Sequence, residues 1–277
     1  MKHIICLLFL FAFISTSFAQ DRIFAYTYQT NVLNKGDFDL EFQNTLAMGK
    51  VGDFSPYVFG QHLDQRIEFE VGLGKKVQTA FYLNSELFNY AYQGSQGVEQ
   101  ELKISFSNEW KWKLSDPAAN KIGFALYEEF EFGGNNIESE TKIILDKRWP
   151  KDLLAFNVAA IYEIEKEIVS IPFNETKAEW ERSSPVDIYL SYLHFIKPTT
   201  GLGLELKINN DINEEDGWFN SVLFVGPAYH ASVDRFFANF SILPQIANLH
   251  KTDEAPGNRD LNNFESLEAR LLIGYSF

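Results

Sequence analysis

The stretch that decides the fold is Leu267-Glu-Ala-Arg-Leu-Leu-Ile-Gly-Tyr-Ser-Phe277. Leu267, Ala269, Leu271, Ile273, Tyr275 and Phe277 take every second position, and Glu268, Arg270, Leu272, Gly274 and Ser276 fall between them. A period of two, with one apolar and one mostly polar face, is a β-strand that is wet on one side only. The apolar face must meet either a second protein layer or lipid.

Upstream the alternation repeats. Phe38, Leu40 and Phe42 interleave with Asp39, Glu41 and Gln43, and Ile67, Phe69, Val71 and Leu73 interleave with Glu68, Glu70, Gly72 and Gly74. Leu202, Leu204, Leu206 and Ile208 do the same with Gly203, Glu205 and Lys207. Placing turns at the polar breaks predicts strands near 36–48, 64–74, 77–89, 99–113, 121–132, 138–148, 152–165, 178–196, 201–210, 218–231, 235–247 and 263–277. About twelve segments result. Their connections are alternately short and long, with a tight exception at Gly133-Gly134-Asn135-Asn136, as expected of an antiparallel up-and-down meander that closes into a transmembrane barrel. Closure sets the last strand against the first, and the reading expects Arg270 to pair there with Glu41 or Asp39.

At the other end, Lys2 and His3 precede an apolar run from Ile4 to Phe18 and a small-residue site at Ser17-Phe18-Ala19. This has the layout of a secretory leader cut after Ala19, because the run is short of the roughly 20 residues a membrane helix needs. Cys6, the single cysteine, lies within that leader, so disulfide and thiolate chemistry are excluded from the rest. With Lys2 removed, 23 Lys and Arg stand against 38 Asp and Glu, a net charge of −15. Nucleic acid is an unsuitable partner for such a surface. There is no Pro/Ser-rich linker, so one domain is expected.

Several residues invite chemical readings. Trp110, Trp112, Trp149, Trp180 and Trp218 stand near strand ends, where indoles suit a headgroup layer, with a sugar-stacking platform as the alternative. His62, His194, His230 and His250 form no serine-histidine-asparagine motif of the kind a twelve-stranded outer-membrane phospholipase uses. The loop from Asp211 to Gly217 resembles half a calcium loop but places its glycine one position late. No zinc spacing or phosphate-cradling loop is present, and no metal or cofactor is expected. The inward positions are charged: Asp39, Glu41, Arg66, Glu68, Glu70, Glu129, Glu131, Lys142, Asp146, Arg148, Glu163, Glu165, Glu205, Lys207, Glu268 and Arg270. They are expected to line the lumen, as mutual ion pairs or as the walls of a narrow acidic passage.

The ending Leu271, Ile273, Tyr275, Phe277 resembles the signal by which bacterial outer-membrane barrels are recognised for insertion. Phe24-Ala-Tyr-Thr-Tyr28, Asn34-Lys-Gly-Asp-Phe-Asp-Leu-Glu41 and Arg66-Ile-Glu-Phe-Glu-Val-Gly-Leu-Gly74 resemble a group of uncharacterised, porin-like bacterial outer-membrane barrels with no assigned activity. The resemblance implies a barrel in the outer membrane of a Gram-negative bacterium but identifies no site; the residue patterns divide the chain into a leader over 1–19, a periplasmic lead-in or a segment tucked against the barrel over 20–35, and the barrel over 36–277. The partners expected of such a barrel are outer-membrane lipid and the barrel assembly machinery, with small solutes expected if the lumen conducts; no ligand comes with the resemblance. The function expected is a passive channel or solute-specific porin with a narrow charged lumen, not an enzyme. The alternative is a non-conducting barrel serving as a surface scaffold, adhesin or envelope-stability component.

Overall fold

A computed structural model describes residues 22–50, 57–92, 98–171, 175–213, 217–253 and 255–277; the expected leader lies outside them. The strands are β1 Phe38–Lys50, β2 Tyr57–Gly72, β3 Val77–Tyr92, β4 Val98–Ser115, β5 Gly123–Gly133, β6 Asn136–Arg148, β7 Asp152–Ile171, β8 Glu175–Ser183, β9 Val186–Lys197, β10 Thr200–Asn213, β11 Gly217–Val233, β12 Phe236–Asn248 and β13 Leu267–Ser276. Each pairs antiparallel with its neighbours, and β13 pairs with β1, so the sheet closes on itself. β8 and β9 share one stave. β9 pairs with β7 from Asp152 to Ala160 and β8 with its continuation from Glu163 to Ile171. The stave breaks at Ser184-Pro185, where proline has no N–H to give the ladder. The barrel therefore has twelve staves, matching the sequence expectation.

The outward side chains form an apolar belt. Leu40, Phe42, Ile67, Phe69, Phe81, Leu83, Ile104, Phe106, Leu202, Leu204, Leu271 and Ile273 are all exposed. A water-facing surface would not tolerate so continuous a band, whereas lipid makes it favourable. Trp112, Trp149, Trp180 and Trp218 are exposed as well, and Trp110 stacks on Trp112 at 6.2 Å. Short turns close one end, including 73–76, 149–151, 198–199 and 234–235, and the residue at 277 lies at this end. Asp234 occupies a left-handed conformation (φ 55°) in the last of these turns, where a short polar side chain tolerates it.

Three local expectations are corrected. The strands reach past the breaks assigned to them, with β2 starting at Tyr57 and β7 running to Ile171. Alternation reports contact with lipid, so it fades where both faces meet water although the backbone ladder continues. The last strand starts at Leu267 rather than 263, because Asp260 and Phe264 turn inward and are buried. Third, the seam register differs from the expected one. Arg270 lies opposite Thr45 and donates from Nε to Thr45 Oγ1 at 2.8 Å, while Glu41 lies opposite Gly274. Gly274 is required there, since the ring of Phe237 occupies the place of a Cβ.

This register makes a prediction. Paired residues across antiparallel strands are about 4.5–5.5 Å apart at Cα, within disulfide reach. Thr45→Cys with Arg270→Cys should cross-link on oxidation. Glu41→Cys with Arg270→Cys, about 13 Å out of register, should stay reduced. Non-reducing gel mobility separates the two outcomes, and cross-linking of the second pair alone would refute the register.

Candidate functional site: the lumen and the segment inside it

An even pleat turns every second side chain of each stave inward. All the charged positions expected to face the lumen have inward parity, from Asp39 and Glu41 on β1 to Glu268 and Arg270 on β13. Several pair with one another. Arg66 meets Glu129, and Lys207 Nζ lies 2.7 Å from Glu268 Oε1. Glu131 accepts from Asn84 and Ser105, Glu163 accepts from Ser183, and Arg148 lies over the Phe195 ring at 5.2 Å. Others bind residues the sequence reading did not single out: Lys142 pairs with Glu140 at 2.9 Å and Glu165 with Lys103 at 2.8 Å.

Glu41, Glu68, Asp146, Glu205 and Arg270 are taken up by the chain itself, while Glu70 accepts from Gln78 on the wall. Residues 22–33, expected as a periplasmic lead-in or a segment tucked against the barrel, run inside the lumen without forming a strand. All of them except Asn31 are buried. Inward side chains supply hydrogen bonds to their backbone. Tyr28 N donates to Asn157 Oδ1 at 2.7 Å, and Asn157 Nδ2 donates back to Tyr28 O at 3.0 Å. Tyr26 N donates to Glu205, Leu33 N to Gln78 and Thr30 N to Asp146, while Asn239 donates to Arg22 O. A buried backbone needs such partners, and here they are side chains rather than a neighbouring strand.

Apolar inward positions complete the seat. Ile23 and Phe24 pack with Leu153, Ala155, Leu193 and Phe195; Tyr28 packs with Ala125, Tyr127 and Ile144. Ala25 and Tyr26 join Val222, Phe224, Leu243 and Phe264, so the inserted segment meets the inward-turned loop before β13. Gln245 holds that loop by bonding the backbone of Asp260 in both directions, and Asn248 holds Ala255 O. Cations cap the rings, with Arg270 3.9 Å from the Tyr26 centroid and Lys142 4.4 Å from that of Tyr28.

Water-accessible space remains on either side. At the short-turn end a cavity of about 420 Å³ is bordered by Ile23, Gln29, Asn31, Lys113, Arg148 and His230. Towards the opposite end a second, of about 190 Å³, is bordered by Glu86, Lys103, Glu131 and Glu165. The histidines are tied to the wall. His230 Nδ1 is 2.7 Å from Asn239, whose amide also holds Arg22, and His62 stacks on Phe88 at 4.3 Å. His194 and Tyr192 both engage Asp152.

A family model described as "Family of unknown function (DUF6662)" matches residues 16–277. No curated protein matches the sequence. Among solved structures, the COG4313 outer membrane channel from Pseudomonas putida F1 is similar with a TM-score of 0.61 at 9% identity, covering 90% of this chain and 98% of that one. The translocator domain of the autotransporter NalP from Neisseria meningitidis gives 0.57 at 10% identity, covering 90% and 91%. The NanC porin gives 0.50 at 9%, covering 85% and 98%. At these identities the likeness is one of fold.

Proposed function

We propose that this chain, which belongs to the DUF6662 family, is an outer-membrane channel whose lumen is closed at rest by its own residues 22–33. The short-turn end faces the periplasm, as in barrels of this kind, and the longer loops face outward. Outer-membrane lipid surrounds the belt, and the barrel assembly machinery inserts it. One observation supports the reading above the rest: the segment closing the lumen is held by side-chain hydrogen bonds and ring contacts, not by a ladder. It can leave without opening the sheet. The cavities on either side are then the two halves of one path.

The acidic excess of the inward face favours cations and basic solutes. Likeness to structures titled as a channel and a porin supports the same class. The runner-up, a non-conducting barrel acting through its loops, is favoured by how completely the segment and the loop before β13 fill the middle.

Thr27 Oγ1 lies 2.5 Å from Ser191 Oγ, which makes the two readings separable. Thr27→Cys with Ser191→Cys, in a chain whose only other cysteine is Cys6, should tether the segment to the wall on oxidation. Planar-bilayer recordings of the reduced protein should show voltage-driven openings favouring cations. Oxidation should abolish them and reductant restore them. Silence in both states would favour the non-conducting barrel.

A further inference from the structure

The register sets like charges face to face near the short-turn end of the lumen. Asp39 lies opposite Glu70, and Glu41 opposite Glu68, across β1 and β2. Glu70 is in turn opposite Ala80 on β3, and Ala80 is opposite Glu109 on β4. The alanine side chain is too small to separate the flanking acids, so Glu109 joins the group. All five carboxylates are buried. Directly opposed like charges are unfavourable on a sheet, and a buried ionised carboxylate needs a counter-charge.

Among the described residues, two cations stand against Glu41, Glu68, Glu70 and Glu109. Arg22 of the inserted segment stands 3.5 Å from Glu41 and 3.8 Å from Glu68, and Lys111 shares the face. Arg66, the next cation along β2, is committed to Glu129. The Tyr82 hydroxyl lies within hydrogen-bond distance of Glu68 Oε1 and Glu109 Oε2, its one proton serving either, and Glu109 Oε1 is fully buried without a hydrogen-bond partner. That oxygen is the independent mark of a missing ligand.

Oxygens of Asp39, Glu41 and Glu70 lie within 4.8 Å of one another, as do oxygens of Glu68, Glu70 and Glu109. Calcium takes six to eight oxygen ligands in a flexible geometry, largely from carboxylates, which a group of five acids can supply. The donors are all hard oxygens, with no nitrogen or sulfur to draw zinc or copper. A void of about 10 Å³, room for one water, borders one of these acids, Glu70, together with Gln78, Arg22 and Lys111. We propose that the lumen face of β1, β2 and β4 is a divalent-cation site fitted to calcium, with Glu70 shared between the two carboxylate groups. This stands whether or not the barrel conducts.

The full chain, folded in detergent and stripped with a chelator, provides the test, with terbium as the luminescent probe and calcium as competitor. Tyr82, within hydrogen-bond distance of two of the acids, should sensitise the probe, and calcium should quench the signal by displacing it. Glu70→Gln and, separately, Glu109→Gln should each weaken binding by about tenfold or more through loss of ligand charge. Glu165→Gln, an acid on the other side of the lumen, should leave it unchanged. Heat-modifiable gel migration confirms that each variant is folded. Absence of saturable, calcium-competed luminescence in the full chain would overturn the site, and so would equal binding by folded Glu70→Gln and Glu109→Gln.

Discussion

Deleting residues 22–33 is expected to leave a folded barrel that passes steady current where the full chain opens only intermittently. The sheet does not need the segment, because β13 closes directly on β1 and the ladder is complete without it. What the deletion removes is the block at mid-lumen: the rings of Phe24, Tyr26 and Tyr28, all buried against the wall. It also removes Arg22, the counter-charge of Glu41 and Glu68. The emptied passage should therefore be more cation-selective than the intermittent openings of the full chain, which reversal potentials under a salt gradient would read. Twelve staves enclose more than the eight whose side chains suffice to fill a barrel, so water should take the vacated space. If the deleted form is folded and silent, the loop from Ala255 to Phe264 and the inward side chains fill the passage by themselves.

The barrel was legible because lipid imposes a rule on sequence. Every stave must show an apolar face outward, so Leu271, Ile273 and their counterparts recur with period two, and an even count follows from where the turns fall. Inward charges were legible by the same parity. Two features escaped that logic. Ile23 to Leu33 obeys neither period, since a segment seated on side chains has no pleat to keep, and its apolar residues read like a poor strand. Yet the wall carries its imprint. Ile144, Leu153, Leu193, Phe224 and Leu243 are buried apolar residues at inward parity, where an aqueous lumen would have polar ones. Pairs such as Ile143-Ile144, Leu153-Leu154 and Ile242-Leu243, apolar on both faces at once, were the available signal. The seam register was the other miss. Matching Arg270 to Glu41 assumed that charges choose register, but the register is set by the whole ladder, and Arg270 caps Tyr26 and bonds Thr45 instead.

The second large effect is expected at Lys207, a wall residue 5.6 Å from the Tyr26 ring of the segment. Its Nζ is 2.7 Å from Glu268 Oε1, with the two side chains only 12% and 8% exposed, and it also lies 5.3 Å from the Phe224 ring. Breaking one side of a buried pair costs about 3–5 kcal/mol, because the other charge is left without compensation. Lys207→Met should fall near the lower figure, since Arg270 shares the inward face two residues from Glu268 and partly replaces the lost charge. Lys207→Met with Glu268→Gln should recover most of the loss by neutralising both partners. The control is Lys113→Met, which breaks the 3.2 Å pair with Asp116, a residue whose side chain is 40% exposed; exposed pairs are worth about 0–1 kcal/mol. Urea midpoints of barrels folded into lipid vesicles would rank the three. The ranking also measures water in the lumen. A large penalty for Lys207→Met, cancelled in the double variant, means that the pair sits in the dry seat of the inserted segment. A penalty no larger than that of Lys113→Met would mean that water reaches the pair and that the segment does not seal the lumen.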